Sequence, residues 1–472
     1  LMKVLFINPP NQNEIISCNP EIIKKERGYD PPLGILYLAG YLEKNSNHQV
    51  SVIDAQVEKL SYSQLTQRIE ESSPDVVGIT AMTFTLIDVI KVIELVKKID
   101  SRIKIILGGP HAHIYPKETL DIPGVDFVVL GEGEKPLLEL LENIENPEEL
   151  KNMKNIAFKD GDQIIVSECQ DYNQNLDELP FPAMHLTPYK KYWSILSGDK
   201  VITTMFTSRG CPYRCTFCDR PNMGKLFRAR SSKNVVDEIE ERLKMGIEEI
   251  FIYDDTFTVN KQRVIDICDE IIKRNLKFSW DIRARVDTVN QEILEKLKQA
   301  GCARIHYGVE SGTEKILKVL NKGIHLDQVK EVFSLTKKIG ISTFAYFIIG
   351  CPTETKEDIL QTIKFAKKLD TDFVQITLLT PFPATKIYND ALEQGIIKED
   401  YWLEFAKNPR PDFKTKYWTE ELSNQELFKF INYAYKQFYL RPNFILKTLK
   451  EITSFNDFVR KAKAGFKIIS MK

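Results

Sequence analysis

The stretch SRGCPYRCTFCDRP, residues 208–221, contains three of the eight cysteines of this 472-residue chain, and their spacing is C-x3-C-x2-C. Thiolates this close on one loop, at Cys211, Cys215 and Cys218, are typical of iron–sulfur or zinc ligation. A structural zinc ion needs a fourth thiolate or imidazole, and no other Cys or His lies between residues 186 and 267. Three ligands therefore favour an iron–sulfur cubane with one open iron, where chemistry can take place. The spacing alone leaves a zinc knuckle and a redox thiol pair open as alternatives.

Apolar strands alternate with amphipathic helices on the carboxyl side of this loop. Together with the strand that leads into the loop, the apolar runs lie at residues 201–208, 249–255, 278–284, 303–310, 343–350 and 373–382. Six βα units are too few for a closed eight-stranded barrel, so we expect an open, partial (β/α)6 barrel over residues 198–395. The active site of such a barrel lies at the carboxyl ends of the strands. The residues at those ends are Asp254, Asp255, Arg283, Glu310, Ser311 and Gly350.

The cysteine spacing, with Phe217 just before the last cysteine, resembles the motif of the radical S-adenosylmethionine (SAM) enzymes. The resemblance implies a [4Fe–4S] cluster on the three cysteines, with an open iron that chelates the amino and carboxylate groups of SAM. It also implies reductive cleavage of SAM to a 5′-deoxyadenosyl radical. An external electron donor such as a flavodoxin or a ferredoxin would supply the electron.

The barrel strand ends look like the SAM contacts of the same family. The resemblance assigns Asp254 and Asp255 to the SAM amino group, Glu310 and Ser311 to the ribose, and the turn at Gly350 to the adenine. That turn reads GCPTET, with Thr353 where glycine is common in the family. Each assignment has a structural alternative, because a carboxylate at a strand end can instead cap the next helix. Arg283 is a further candidate cofactor contact, and its alternative is an ion pair with Asp254 or Glu310.

The first 145 residues also alternate apolar strands with amphipathic helices, which predicts a parallel sheet covered by helices on both faces. Ligands of such sheets bind at the carboxyl ends of the strands. The residues there are mostly small, and they include Asn8, Pro10, Thr80, Gly108, Gly109, His111, Gly131, Glu132 and Gly133. Small residues allow a bulky ligand to approach the backbone. There is no G-x-G-x-x-G or P-loop motif, so the pattern alone indicates only a Rossmann-like domain.

The ordered series NPP, PPLGILYLAGYL, VGIT, GGPHAH and GEGE, within residues 2–141, resembles the cobalamin-binding domain that precedes many radical SAM barrels. The resemblance implies that cobalamin is held by the nine strand-end residues and by Gly34. The D-x-H-x-x-G pattern that supplies a histidine to cobalt in many cobalamin proteins is absent. We therefore expect cobalamin to bind without a protein histidine on cobalt. The alternative is a vestigial domain that holds nothing or only docks substrate.

The remaining segments are less regular. Residues 146–197 predict a linker that contains a hairpin turning at residues 160–162, and residues 396–472 predict a C-terminal helical region. Lysines and arginines outnumber acidic residues after residue 436, and aromatic residues lie between them. This pattern is usually a solvated helix face, but it also fits contact with a membrane surface. Similarity of the FYLRP segment to cyclase and hopanoid-modifying relatives favours a large apolar substrate such as a lipid or a tetrapyrrole.

Composition limits the remaining function classes. The net charge of −1 gives no global field for nucleic-acid binding. Cysteines without regular pairing spacing, and no apparent signal peptide, predict a reducing, cytoplasmic location. No apolar run approaches the ~18 residues of a membrane span.

Taken together, the motifs predict a cobalamin-dependent radical SAM enzyme that methylates an unactivated carbon of a small molecule. Radical cyclisation, oxidation or carbon–carbon bond formation would use the same modules and stays open. A non-catalytic corrinoid or iron–sulfur carrier is the alternative from another class, and it would have no use for SAM contacts at the strand ends.

Overall fold

The computed structural model of the chain describes residues 1–15, 28–169, 172–218, 224–418, 420–450 and 455–470. Its strands are β1 (Lys3–Asn8), β2 (Gln49–Asp54), β3 (Val76–Thr80), β4 (Lys104–Gly108), β5 (Phe127–Val129), β6 (Ile156–Asp160), β7 (Gln163–Val166), β8 (Ile202–Met205), β9 (Ser208–Arg209), β10 (Arg228–Ala229), β11 (Glu249–Ile252), β12 (Ser279–Ala284), β13 (Cys302–Glu310), β14 (Ser342–Ile349) and β15 (Phe373–Leu378).

The α-helices are α1 (Leu33–Asn45), α2 (Tyr62–Ser72), α3 (Leu86–Ile99), α4 (Pro110–Ile114), α5 (Pro116–Asp121), α6 (Glu134–Asn143), α7 (Pro147–Asn152), α8 (Ser232–Lys244), α9 (Lys261–Lys273), α10 (Gln291–Gln299), α11 (Glu314–Val319), α12 (Leu326–Ile339), α13 (Lys356–Lys368), α14 (Lys386–Glu393), α15 (Tyr401–Lys407), α16 (Asn424–Tyr439), α17 (Pro442–Lys450) and α18 (Phe455–Ser470). Within the described residues, no helix combines the length and the apolar character needed to cross a bilayer.

The first sheet has the strand order β2-β1-β3-β4-β5-β6-β7, and β1 to β5 are parallel. The apolar runs that predicted these strands are buried because helices cover both faces of the sheet, and each face has its own core cluster. The order 2-1-3-4-5 is that of the flavodoxin-like sheets, in which ligands bind where the strand order reverses, here between β1 and β3. The predicted hairpin forms as β6 and β7, and it extends this sheet by antiparallel pairing.

The second sheet contains six parallel strands in the order β15-β14-β13-β12-β11-β8, which confirms the open barrel. Alternate residues of β14 and β15 are buried and half-buried. The buried set packs against the surrounding helices, and the half-buried set faces the interior of the barrel. Ser231 and Asn260 cap the amino ends of α8 and α9, and Gly340 ends α12 in the left-handed conformation.

The predicted C-terminal helices do not pack together as one unit. Trp402 and Phe405 of α15 belong to a core cluster of the first sheet, whereas Leu427, Ile431 and Phe438 of α16 belong to the barrel core. The apolar faces of these helices therefore bind the chain's end to both domains. The fold class predicted from the sequence is confirmed: a Rossmann-like domain, a partial barrel and C-terminal helices.

Candidate active site

A cavity of about 1930 Å³ runs through the interior of the open barrel. The inner faces of the barrel strands, the cysteine loop and residues 194–198 form its walls, and α17 and α18 close one side. Glu14 and Asp30 of the first domain also reach this cavity, and Asp30 accepts a hydrogen bond from the Tyr253 hydroxyl (3.1 Å). Both domains therefore contribute to the same partly open cavity.

The three cysteines of the opening motif all line this cavity. The loop that carries them begins and ends in the two-stranded hairpin β9–β10. The Thr256 hydroxyl lies 3.7 Å from the Cys211 thiol, and the Arg285 guanidinium donates to the Cys215 sulfur (3.8 Å). Arg285 therefore places a cation beside one of the three candidate metal ligands.

The arrangement of metal-ligating side chains distinguishes a cluster from a single ion. Within the described part of the chain, no three His, Cys, Asp or Glu side chains are close enough to hold one metal ion. In a cubane each cysteine binds a different iron, so its ligands need not converge on one point. Three thiols around one cavity therefore fit a [4Fe–4S] cluster, and the single-ion zinc knuckle has no support here.

The two adjacent aspartates that were predicted to contact SAM lie in different environments. Asp255 lines the cavity. Asp254 is fully buried, and it accepts hydrogen bonds from the backbone amides and hydroxyls of both Thr207 and Ser208 at 2.5–3.0 Å. Asp254 therefore fixes the chain that leads into the cysteine loop and does not reach the cavity.

Glu310 lies at the end of β13 and lines the cavity. Its backbone adopts an unusual conformation. Its φ is +70°, and the pairing of β13 with β14 shifts register at this residue. The strain turns its carboxylate toward Lys322, with which it forms a buried ion pair at 2.7 Å. A Cβ on Gly308 would lie 2.4 Å from the Glu310 carboxylate and 2.8 Å from the Lys322 amine, so the ion pair occupies the space that a side chain there would fill.

Two other predicted SAM contacts lie beside the cavity rather than in it. Ser311 is fully buried, and its hydroxyl lies 3.2 Å from that of Thr362. Gly350 adopts φ +78°, and its amide donates to Glu354 (2.6 Å). Phe217 lines the cavity. Thr353, which replaces the glycine common in the family, adopts φ +59° and so keeps the turn that glycine would make.

Arg283 lines the cavity but forms neither of the ion pairs expected as alternatives. Its guanidinium lies over the Tyr253 ring, 3.9 Å from the centroid, and 5.3 Å from that of Phe251. Arg285, two residues further on, lies 3.8 Å over the Tyr213 ring and pairs with Asp287 (2.9 Å).

Several cavity residues were missed by the sequence reasoning. Asp281, Arg304, His306, Tyr346 and Lys322 all line the cavity. A usable signal was present, because the polar residues of SWDIRAR and RIHYG alternate with apolar ones and therefore share one face of their strands.

The carboxyl edge of the first sheet carries the residues expected to hold cobalamin. Thr80 and Gly108 are register partners, and Asn8, at the end of β1, donates to Asp54 (2.8 Å). A Cβ on Gly34 would meet nothing within 4 Å, and one on Gly108 would meet only a backbone oxygen at 3.6 Å. This open backbone at the switch point fits a bulky nucleotide-like ligand.

The remaining predicted cobalamin contacts have structural roles. Pro10 is buried, and Gly109 has φ +94° because a Cβ there would approach Thr80 and Ala81 within about 3 Å. His111 is fully buried, its Nδ1 lies 3.1 Å from the Thr83 hydroxyl, and burial lowers its pKa to about 3. His111 is therefore enclosed rather than displayed at the sheet edge.

Glu132, between Gly131 and Gly133, joins the two domains. It accepts hydrogen bonds from Arg209 (3.0 Å) and Arg228 (2.8 Å), while Glu134 accepts from Arg209 at 2.5 Å. Burial opposes ionisation of Glu132, but Arg209 and Arg228 together lower its pKa. The turn that was expected to bind cobalamin thus contacts the base of the cysteine loop.

The fold and the site define a class of protein: an iron–sulfur enzyme with a parallel barrel behind a flavodoxin-like ligand-binding domain. Comparison with known families makes this specific. Residues 205–366 match the family model of the radical SAM superfamily, and residues 22–141 match that of the B12 binding domain. The chain belongs to the cobalamin-dependent radical SAM enzymes. Its cofactors are a [4Fe–4S] cluster, SAM and cobalamin.

Relatives cover nearly the whole chain. It is 35% identical over 456 residues to an uncharacterized methyltransferase of Pyrococcus horikoshii, covering 96% of this chain and 95% of the relative. It is 30% identical over 397 residues to the anaerobic magnesium-protoporphyrin IX monomethyl ester cyclase of Rubrivivax gelatinosus, covering 82% and 70%. Among solved structures, the cobalamin-dependent radical SAM enzyme OxsB has a TM-score of 0.74 at 19% identity, covering 99% and 71%. The last likeness concerns the fold.

Proposed function

We propose that this enzyme methylates an unactivated carbon of a small molecule bound in the barrel cavity. The observation that carries the proposal is the single cavity shared by the cysteine loop, the barrel interior and residues of the first domain. Such a space holds a substrate between two cofactors and excludes water from a radical. The choice of methyl transfer follows the relative from P. horikoshii, which is named as a methyltransferase and aligns along both domains.

Different residues of the chain would bind the cluster and SAM. Cys211, Cys215 and Cys218 would hold the cluster, and Arg285 would stabilise the thiolate of Cys215. Glu310 and Asp255 would bind the ribose and the amino group of SAM, because a carboxylate accepts strong hydrogen bonds from both. When bound, the cluster with SAM supplies a 5′-deoxyadenosyl radical, and cobalamin supplies a methyl group.

Other site residues would act by positioning. Phe217 lines the cavity beside the cysteines, and the turn at Gly350 would approach the adenine. Asp254 and Ser311 would hold the strand ends in place through their buried hydrogen bonds. At the first-domain edge, Asn8, Gly34, Thr80 and Gly108 would receive cobalamin, with Pro10, Gly109, Gly131 and Gly133 shaping the loops.

Product stoichiometry tests the proposal. Protein reconstituted anaerobically with iron, sulfide and cobalamin is incubated with SAM and a strong reductant. A methylase should form S-adenosylhomocysteine, from methyl transfer to cobalamin, as well as 5′-deoxyadenosine. The triple variant C211A/C215A/C218A should lose 5′-deoxyadenosine, because reductive cleavage of SAM needs the cluster. Mass spectrometry measures both.

The second candidate function is radical cyclisation, which the 30% identity to the R. gelatinosus cyclase favours. The same experiment separates it from methylation, since cyclisation needs no methyl transfer. Formation of 5′-deoxyadenosine without S-adenosylhomocysteine would support the cyclase and contradict the methylase. Formation of neither product would contradict both.

The more specific predictions about the electron donor, the substrate and the membrane fit this proposal. A flavodoxin or a ferredoxin would deliver the electron. A lipid or tetrapyrrole would suit the volume of the cavity and its aromatic walls, and two relatives are named for activities on tetrapyrroles. Exposed Phe466 and Ile469 on α18, together with nearby lysines, support contact with a membrane surface.

A further inference from the structure

The interior wall of the barrel carries a layer of aromatic and charged side chains. Arg283 is the register partner of His306, His306 of Phe344, and Phe344 of Phe373, and all four line the cavity. His306 stacks between Phe344 (4.8 Å, 10°) and Phe251 (4.6 Å, 26°). This layer therefore offers flat apolar surfaces around one guanidinium.

Hydrogen bonds fix the charged members of this layer. Arg304 donates to Asp281 Oδ2 (2.6 Å), and His306 Nε2 lies 3.5 Å from the same oxygen. His306 Nδ1 lies 2.8 Å from the Tyr346 hydroxyl. Burial lowers the pKa of His306, so the ring is neutral, with its proton on Nε2 toward Asp281. Nδ1 then accepts the Tyr346 proton, which leaves the Tyr346 oxygen free to accept from Arg283.

Arg283 differs from the neighbouring charged residues of the barrel strands because it has no carboxylate partner among the described residues. Asp281 is matched by Arg304, Glu310 by Lys322, and Arg285 by Asp287. Arg283 forms no ion pair with any carboxylate in the part of the chain that the structure describes. It rests on the Tyr253 ring and lies near the Tyr346 hydroxyl. Asp30, which bonds the Tyr253 hydroxyl, forms no ion pair with it either.

We infer that Arg283 and Tyr346 form a subsite for the anionic group, a carboxylate or a phosphate, of an otherwise apolar substrate. This inference rests on the proposed function, in which the barrel cavity holds the substrate. A guanidinium has five N–H donors in a planar fork that matches both anions, and Tyr346 and the ring beneath it leave donors facing the cavity. A partly desolvated cation without a counterion is costly, so a ligand anion gains affinity there. Phe251, Phe344 and Phe373 would pack against the apolar body.

Matched acid and alcohol probes test the subsite without turnover. Holoprotein carrying cluster and cobalamin is dialysed to equilibrium against 1-pyrenebutyrate or 1-pyrenebutanol, and against 1-naphthyl phosphate or 1-naphthol, and bound probe is quantified by absorbance. In the unmodified protein, one acid should bind at least about tenfold tighter than its alcohol, the scale of one charge-assisted hydrogen bond. The pair that shows the preference identifies carboxylate or phosphate.

Variants assign the preference to Arg283. R283M should lower the acid-to-alcohol ratio to near one, and R283K should retain part of it. K337M is the matched control, because Lys337 also lines the cavity but already pairs with Asp370, and it should keep the full ratio. SAM affinity and substrate-free formation of 5′-deoxyadenosine should stay unchanged in R283M.

Three results would overturn the inference. Equal binding of acid and alcohol to the unmodified protein would show that no anion subsite exists, whether or not the variants fold. An undiminished ratio in R283M would place the subsite elsewhere. Loss of SAM binding in R283M would assign Arg283 to the cofactor. None of these readouts depends on methyl transfer, so failure of the subsite and failure of the methylase proposal are distinguishable.

Discussion

Adjacent residues at the barrel strand ends have opposite roles. Asp255 faces the cavity while Asp254 binds the chain before the cysteine loop, and Glu310 faces Lys322 while Ser311 bonds Thr362. The sequence located these strand ends correctly, because apolar runs that stop at polar residues mark them. The sequence did not indicate which of two adjacent residues faces the cavity, because that depends on the twist of the strands and on the register shift at Glu310.

Glu354, in the GCPTET turn, gives a pH-dependent prediction at the scale of one residue. Both amides that it accepts, from Gly350 and Cys351, donate to Oε2, and Oε1 is buried without a partner among the described atoms. Burial raises the pKa of Glu354 to about 7 from 4.5. The folded state thus holds a proton that the unfolded chain releases, and stability falls as pH rises from about 4.5 to 7. The loss is on the order of 3 kcal/mol at about 1.4 kcal/mol per pKa unit.

The variant E354Q should remove this loss, because its amide oxygen accepts both N–H groups and the side chain carries no charge. We expect the melting temperature of E354Q to match that of the unmodified protein near pH 5 and to exceed it by several degrees at pH 8. E357Q, at an exposed position on the following helix, is the control and should behave as the unmodified protein does. A constant difference between pH 5 and pH 8 would contradict the protonation of Glu354.

At the scale of elements, the positions of the histidines bear on how cobalamin binds at the carboxyl edge of the first sheet. The sequence has three histidines in its first 145 residues. His48 accepts from the Met2 amide (3.1 Å) before β2 begins, at the opposite edge, and His111 is enclosed. His113 Nδ1 accepts from the Gly131 amide (3.1 Å). The helices and strands around them were predictable from periodicity, but the hairpin's attachment to this sheet was not, because edge pairing leaves no local pattern.

We therefore predict that cob(II)alamin binds base-off, with neither an imidazole nor the benzimidazole on its lower face. Its electron paramagnetic resonance spectrum should lack nitrogen superhyperfine splitting on the cobalt lines. Added free imidazole should introduce that splitting, which serves as the positive control. Splitting in the untreated protein that disappears in H113A would show that His113 leaves Gly131 to bind cobalt, and the prediction would fail.

At the scale of the whole molecule, the two domains meet through contacts between residues far apart in the chain. Tyr192 donates to Asp54 (2.9 Å), Tyr37 reaches the Phe206 carbonyl (3.3 Å), and the Glu132 network reaches Arg209 and Arg228. Each domain was predictable alone, because its strands and helices follow local periodicity and its loops follow family motifs. The interface was not, since its partners are separated by up to 223 residues, as between Asp30 and Tyr253, and each charge has many candidate partners in the sequence.

The Glu132 network is the contact most directly connected to the chemistry. Arg209 and Arg228 occupy the paired strands β9 and β10, between which the cysteine loop lies. Glu132 and both arginines are at most 10% exposed in their side chains. Removing one partner of a buried ion pair typically costs about 3–5 kcal/mol, because the other charge stays buried without compensation. A turn of the first domain thus holds together the two strands at the base of the cysteine loop in the barrel domain.

We predict that E132Q loosens the cysteine loop without releasing cobalamin from the first domain. Reconstituted E132Q should melt at a lower temperature and should release its iron to a chelator several times faster than the unmodified protein, because the hairpin at the loop's base opens more often. Cobalamin retained after gel filtration should be unchanged. E139Q, an exposed position on α6, is the control and should show neither effect. A lower melting temperature with iron release at the unmodified rate would mean that the network only joins the domains. Loss of cobalamin together with iron would instead return Glu132 to the role that the GEGE motif first predicted, contact with cobalamin.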